Sequence, residues 1–396
     1  MFENLLAAYN PETGATARKQ TGSFYTPREV VDYMVDEALI AYLKGRLPAR
    51  DEKGAEEKLR RLVSWEESAH DFDDQETETL IAAIDGLKAL DPAVGSGAFP
   101  MGILHKLVFI LGKLDPDNER WKATQVAKLD DPVMREEAER LFRQNYNDYG
   151  RKLYLIENCL YGVDIQTIAV QIAKMRFFIS LIVDQRVDRA ATNLGVRPLP
   201  NLETKFVAAN TLIGIERLQQ TMFRNPEIYA KEAELRKVRE KHFNARTPAS
   251  KAKYRELDKK LRAQIAGLLQ RDGWGDTTAK QLAAWDPYDQ NASAPFFDPE
   301  WMFGVQKGFD IVIGNPPYVR IQTLNQTDKD QAARLKDNYA SAAKGNYDLY
   351  VVFVERGLQL LESQGQLSYI LRHKFFNAQC GQPLRRLIAE GKQLRH

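Results

Sequence analysis

Leu87-Lys88-Ala89-Leu90-Asp91-Pro92-Ala93-Val94-Gly95-Ser96-Gly97-Ala98-Phe99 reads as a short apolar run, a glycine-bearing turn and the opening of a helix. Glycines let the backbone turn tightly and approach a ligand, and a helix N-terminus offers unpaired amide donors. The helix is legible in Phe99, Ile103, Leu107 and Ile110, which recur at the 3.6-residue period. The segment therefore predicts a strand over Leu87 to Leu90, a ligand-facing turn and a packed helix. It is not the dinucleotide pattern Gly-x-Gly-x-x-Gly, because Pro100 and Met101 stand where that pattern runs on towards its third glycine.

Working outward, four more short apolar runs are each followed by a turn signal or a helical pattern: Leu160 to Val163, Phe206 to Ala209, Phe309 to Ile313 and Leu367 to Leu371. Strands alternating with helices imply βαβ units and a parallel sheet covered on both faces, a doubly wound α/β fold. Behind the second run, Ile168, Ile172, Met175, Ile179 and Ile182 predict a buried helical face. Ahead of the first run, Thr26 is placed as a helix cap with Pro27 at the first helical position. Val30, Val31, Met34, Val35, Ala38 and Leu39 form an apolar face for packing on the sheet.

Two stretches break this rhythm and read as helical insertions, at about 114–149 and 216–307. In the second, Tyr254, Leu257, Leu261, Ile265 and Leu268 keep helical spacing after a break at Thr247 and Pro248, which predicts a helical hairpin. Between Asn225 and Asp272 there are 13 Lys and Arg against 7 Asp and Glu. That surplus fits either a solvated helical surface or a surface for the DNA backbone.

Composition bounds the class. In 396 residues, 44% hydrophobic and 28% charged residues allow a sizeable core and argue against disorder. The densest apolar run, Phe177 to Val183, is far short of the roughly 20 residues that a membrane helix needs. Met1 to Asn10 lacks the layout of a secretory signal, so the expected compartment is cytoplasmic, with no membrane. Cys159 and Cys380 have no Cys or His at ligand spacing, so no metal site is expected. His105 is expected in the core. The net charge of +2 means that a nucleic-acid partner must be met by a local basic surface. Pro116-Asp117 lacks the following Asp/Glu-x-Lys of a metal-dependent nuclease, and Gly-x-Ser-x-Gly is absent.

The strand ends carry the chemistry. Asp164 ends the second run, where a carboxylate can accept both hydroxyl protons of a ribose; alone it reads more often as a cap for the helix from Gln166, and coming after the glycine turn it reads as the ribose acceptor. Asn210 and Thr211 follow the third run, placing an amide that donates and accepts where a purine ring would lie, with a turn role as the alternative. The fourth run leads straight into Asn315-Pro316-Pro317-Tyr318. Two prolines remove two backbone donors and fix their own φ, so the loop is stiff. It presents the Asn315 amide oxygen and the Pro316 carbonyl as acceptors for an amino group with two hydrogens, and Tyr318 as a plate for a flat ring.

Together these residues resemble the gamma class of adenine-specific DNA methyltransferases, in particular the methylase module of restriction-modification enzymes. Phe24-Tyr25-Thr26-Pro27, the Asp91 to Phe99 turn, the strand-end Asp164 and Asn315-Pro316-Pro317-Tyr318 stand in the family's order over about Gly22 to Leu387. The resemblance implies a Rossmann-like fold over residues 80–396 behind an N-terminal helical segment at 1–45. It implies double-stranded DNA as partner and S-adenosylmethionine as cofactor. Phe24, Tyr25 and Thr26, with Asp91, Pro92, Ala93, Gly95 and Gly97, would hold the methionine end; Asp164 and Ile165 would hold the ribose, and Asn210 and Thr211 the adenine. Asn315, Pro316, Pro317 and Tyr318 would be catalytic. Stacking would need the ring of Tyr318 more than its hydroxyl, so Tyr318→Phe is expected to be mild. Tyr347 to Leu361 and Gly365 to Phe376 would line the base pocket and close the sheet.

Val94 stands where the family often has Cys, and Arg372 where it commonly has Pro, which is expected to disturb the strand exit. Neither the family's eighth motif nor a target-recognition domain is found before His396, so the chain reads as a fragment, with further N-terminal and C-terminal domains expected in its parent. The alternatives are a noncatalytic cofactor- or DNA-binding remnant, a protein-glutamine methyltransferase and a Rossmann dehydrogenase. The last leaves Asn315 to Tyr318 unexplained.

Overall fold

The computed structural model describes residues 26–48, 52–67, 69–127, 147–185, 199–215 and 225–391, with 9–10, 15–16, 189–190, 194 and 196. Five strands form one sheet: β1 (Ala89–Asp91), β2 (Leu160–Asp164), β3 (Phe206–Ala208), β4 (Phe309–Gly314) and β5 (Leu361–Tyr369). Their order is β3-β2-β1-β4-β5, and every neighbouring pair is parallel. This is the expected doubly wound α/β fold. The order reverses between β1 and β4, and ligands of open parallel sheets bind outside the carboxyl ends of the strands at that point.

Alternation along the strands feeds two cores. Leu90 and Val312 join one apolar cluster, while Ala89, Ile311 and Ile313 join the other. The second cluster is covered by α1 (Arg28–Lys44), through Val31, Met34, Val35, Ala38 and Leu39, and by α2 (Ala98–Leu114), through Phe99, Ile103, Leu107 and Ile110. Two further helices, Glu52–Val63 and Asp74–Gly86, complete that face. Lys106 and Lys113 of α2 are buried, and their ammonium groups donate to the carbonyls of Val63, and of Leu62 and Ser64, at the C-terminal end of Glu52–Val63. A cation there meets the carbonyls that a helix end leaves unpaired.

Four expectations are corrected. In α3 (Thr167–Ile182), Ile168 and Met175 are each 52% exposed, and Ile179 and Ile182 also face outward. The buried face runs through Val170, Ala173, Phe177 and Leu181. This helix is apolar almost all round, so its period could not choose a face. Close packing chose it: a Cβ on Gly97 would come within 3.1 Å of the Cβ of Ala173, an approach that a larger residue at 173 would prevent. His105 is exposed on α2, off the Phe99 to Ile110 face, and Val30 is likewise exposed on α1. Finally, β5 starts at Leu361 and ends at Tyr369, displaced from Leu367 to Leu371. It is an edge strand with a register shift opposite Phe309 and Ile311, so Glu362 to Gln366 can be polar and show no apolar run.

The other face of the sheet carries α4 (Pro226–Phe243) and α5 (Pro248–Arg271), the expected hairpin, with Thr247 and Ser250 forming a reciprocal cap at the start of α5. It is locked by charge. Asp258, fully buried, accepts from Arg239 Nε at 2.8 Å and from Arg262 Nε at 2.6 Å, and both guanidiniums also reach backbone carbonyls, those of Trp301 and Ala283. Burial alone would raise the Asp258 carboxyl, yet Arg239 and Arg262 hold it below the ordinary value. Two cations of the basic surplus are therefore structural. The same apolar cluster includes α6 (Tyr350–Leu360), which packs on β4 and β5.

Candidate active site

The turn between β1 and α2 is built by its two glycines, with φ of 50° at Gly95 and 81° at Gly97, left-handed values that favour glycine. Asp91 Oδ1 accepts from the Ala93 amide at 3.0 Å, and the Val94 amide donates to the Val163 carbonyl. Asp91 is 2% exposed, and no cation pairs with it among the described residues. Burial therefore pushes its carboxyl well above the usual range, the Ala93 amide opposes this, and the charge of Asp164 adds to it.

Asp164 ends β2 beside this turn. Its Oδ2 accepts from the Gly95 amide at 2.9 Å and its Oδ1 from the Gln166 amide at 2.9 Å. The carboxylate thus braces both the glycine turn and the entry to α3, and each oxygen keeps lone-pair capacity. Burial raises its pKa against these amide bonds. Ile165 is 52% exposed next to it. After β3, Asn210 Oδ1 accepts from the Leu212 amide at 3.2 Å, the turn role, which leaves its Nδ2 for other use. Thr211 is buried, and its hydroxyl donates to the Pro92 carbonyl at 2.7 Å, which ties the third strand exit to the glycine turn.

At the switch point, β4 delivers Asn315 beside β1. Gly314 is pressed against Asp91: a Cβ there would lie 2.7 Å from Asp91 Oδ1. Gly314→Ala should displace that carboxylate and destabilise the fold by about 1–3 kcal/mol, read by chemical denaturation. Unchanged stability would show that Asp91 gives way freely. Pro316 is buried, and among the described residues nothing donates to its carbonyl. The Tyr318 hydroxyl lies 2.9 Å from Asn315 Oδ1 and 2.9 Å from the Ile370 carbonyl, so its single proton serves two acceptors. Asn315 Nδ2 donates to Thr26 Oγ1 at 3.3 Å. Thr26 is therefore not the helix cap the sequence suggested: Pro27 holds the cap position, with no side-chain cap bond. Phe24 and Tyr25 lie outside the described residues.

The Tyr318 ring meets Tyr350 of α6 at 5.9 Å and 62°, and the Arg372 guanidinium lies over it, 4.9 Å from its centre. The expected disturbance by Arg372 is not seen: the Ile370 amide still bonds the Gly314 carbonyl at 3.1 Å. Phe375 and Phe376 stack at 4.2 Å behind Tyr350, with Phe376 exposed.

Several positions had no local sequence signal. Arg176 of α3 donates to the Ser96 carbonyl in the glycine turn at 2.9 Å, and Arg356 of α6 donates to the Thr211 carbonyl at 2.9 Å. Tyr369, paired in register with Gly314, buries its hydroxyl with no hydrogen-bond partner among the described residues. Only the approach of distant elements marks them. Among the described residues no group of His, Cys, Asp or Glu is arranged to hold a metal, and no helix is long and apolar enough to cross a membrane.

A parallel sheet with a glycine turn, two strand-end acids and a stiff Asn-Pro-Pro-Tyr loop at its switch point has the α/β architecture of Rossmann-like methyltransferases. The chain belongs to the Eco57I restriction-modification methylase family, which matches residues 158–396. A Methanocaldococcus jannaschii protein named as a putative type II restriction enzyme and methyltransferase, RM.MjaORFECS2P, is 24% identical over 416 residues, covering 90% of this chain and 32% of its own length. The type II restriction enzyme and methyltransferase RM.Eco57I of Escherichia coli is 38% identical over 86 residues, 22% of this chain and 8% of its own length. The type II methyltransferase M.PaeR7I of Pseudomonas aeruginosa is 33% identical over 132 residues, 32% of this chain and 20% of its own length. The chain spans about a third of the first of these relatives and less of the other two.

Proposed function

We propose that this chain is the catalytic module of a gamma-class DNA methyltransferase of a restriction-modification system, which moves a methyl group from S-adenosylmethionine to the exocyclic amine of a flipped-out adenine. Residues 80–396 form the module, with the stretches at about 114–149 and 216–307 as insertions, of which 128–146 and 216–224 lie outside the described residues. One observation carries this reading. Asn315 and Pro316 leave β4 at the switch point, directly after Gly314, which is pressed against Asp91 at the foot of the glycine turn.

The residues present fit the cofactor. Asp91 is a buried carboxylate without a cation among the described residues, which an ammonium group would compensate. The left-handed glycines let backbone approach a ligand, Asp164 keeps acceptor capacity for ribose hydroxyls, and exposed Ile165 offers a flat apolar contact beside it. When bound, S-adenosylmethionine supplies an electrophilic sulfonium methyl.

The chain's own work is on the amine. The exocyclic nitrogen of adenine is a poor nucleophile because its lone pair is delocalised into the ring. Accepting its two hydrogens at Asn315 Oδ1 and the Pro316 carbonyl draws the nitrogen towards tetrahedral geometry and frees the lone pair. Positive charge then develops on nitrogen, and fixed dipoles aimed at developing charge contribute on the order of 3 kcal/mol each. Flipping the base costs a few kcal/mol, which stacking on Tyr318 helps to offset. Arg372, now over that ring, must move aside for a base to stack on that face.

Calorimetry tests the cofactor. The chain is expected to bind S-adenosylmethionine or its demethylated product and not NAD; heat with NAD alone would reject the assignment. Asp164→Ala should weaken binding by at least about 1–3 kcal/mol, because it removes charge-assisted bonds to ribose and also frees the amides of Gly95 and Gln166.

A further inference from the structure

The Asn315 side chain has to present oxygen, not nitrogen, to the incoming amine. An amide that rotates half a turn about its last torsion puts its own N–H groups where the acceptor belongs, and that torsion is intrinsically soft. Two groups hold it. The Tyr318 hydroxyl donates to Oδ1 from within the same loop, and Thr26 Oγ1 accepts from Nδ2 across 289 positions of chain.

Thr26 is well built for this. It is 7% exposed and precedes Pro27, which biases its backbone to extended geometry. The Pro27 carbonyl accepts from the Val30 and Val31 amides at 3.1 Å, and Val31 and Val35 anchor α1 in the core, so the hydroxyl is carried on a fixed support. The helix makes no use of that hydroxyl, since its cap position has no side-chain bond.

We propose that Thr26 is a positioning residue for Asn315: its hydroxyl holds the amide nitrogen back so that Oδ1 faces the target amine, and through that bond it contributes to turnover. This rests on the methyltransferase reading above, and it adds a role to the cofactor contact that the family resemblance assigns to this threonine.

Thr26→Val keeps the shape and removes the hydroxyl, while Thr26→Ser keeps the hydroxyl. With adenine-containing DNA and saturating donor, Thr26→Val is expected to lower kcat about tenfold or more. The dissociation constant for S-adenosylmethionine, measured by calorimetry on the same protein, sets the saturating concentration for each variant, and Thr26→Ser should restore kcat. A matching thermal midpoint for Thr26→Val excludes misfolding as the cause of a loss. A weakened donor affinity with kcat preserved at saturation would overturn the proposal in favour of cofactor contact. An unchanged kcat and affinity would overturn it outright. Wild-type protein that methylates no adenine in any DNA, yet binds the donor, would sink the underlying adenine reading before any variant is compared.

Discussion

Asn315→Ala is expected to lower kcat for methyl transfer by at least about 100-fold while leaving S-adenosylmethionine affinity near wild type. The side chain hydrogen-bonds the Tyr318 hydroxyl and Thr26 and, among the described residues, no group of the glycine turn. Rapid-quench measurement of transfer, paired with calorimetry for the donor, separates the two effects. Comparable losses in both would mean that Asn315 shapes the donor pocket instead. The hydroxyl of Tyr318 changes a related expectation. Sequence alone suggested that Tyr318→Phe would be mild, because stacking needs only the ring. With that hydroxyl shared between Asn315 Oδ1 and the Ile370 carbonyl, the phenylalanine variant should lose turnover about tenfold, and Tyr318→Ala, which also removes the plate, should lose more.

The second large effect is on folding. Asp258→Ala leaves Arg239 and Arg262 buried without their shared carboxylate, a change expected to cost about 3–5 kcal/mol. Denaturant unfolding of wild type and variant gives the difference. The combined substitution Arg239→Met, Asp258→Leu and Arg262→Met removes the charges along with the carboxylate. It should recover most of that stability, since a well-packed apolar trio matches a buried ion triad. If it proves as unstable as Asp258→Ala, the hairpin needs the ions themselves and the argument from uncompensated charge fails. The pH dependence has a definite sign. The folded Asp258 pKa lies below its unfolded value, so its contribution is present above the unfolded carboxylate pKa of about 4 and is lost as pH falls through the folded pKa.

Much of the fold was legible because local chemistry and global structure agree. Four of the five strands stand within two residues of their apolar runs, since a strand buried on both faces is apolar along most of its length. The glycine turn was legible because left-handed backbone at Gly95 and Gly97 leaves a mark in composition. The strand-end Asp164 and the Asn315 to Tyr318 loop were legible because their positions follow directly from the strands that carry them. The edge strand β5 was misplaced because it is only partly buried along its length, unlike the other edge strand β3, and so polar residues can stand in it.

What the sequence determined by itself is therefore the set of parallel strands, the turn that closes on the first of them and the side chains at their carboxyl ends, all of which depend on neighbours a few residues away. What only the tertiary structure decided are the choices among locally equivalent options. The outward face of α3 was settled by the close approach of Gly97 to Ala173, and Thr26 was turned from a helix cap into a partner of Asn315 by the packing of α1 on the sheet. Arg356, Arg176 and Arg372 gained their places beside Thr211, Ser96 and Tyr318 in the same way. The physical reason is common to all of them: a hydrogen bond or a packing contact between residues far apart in the chain has no period and no local composition, and it exists only once the chain has closed on itself.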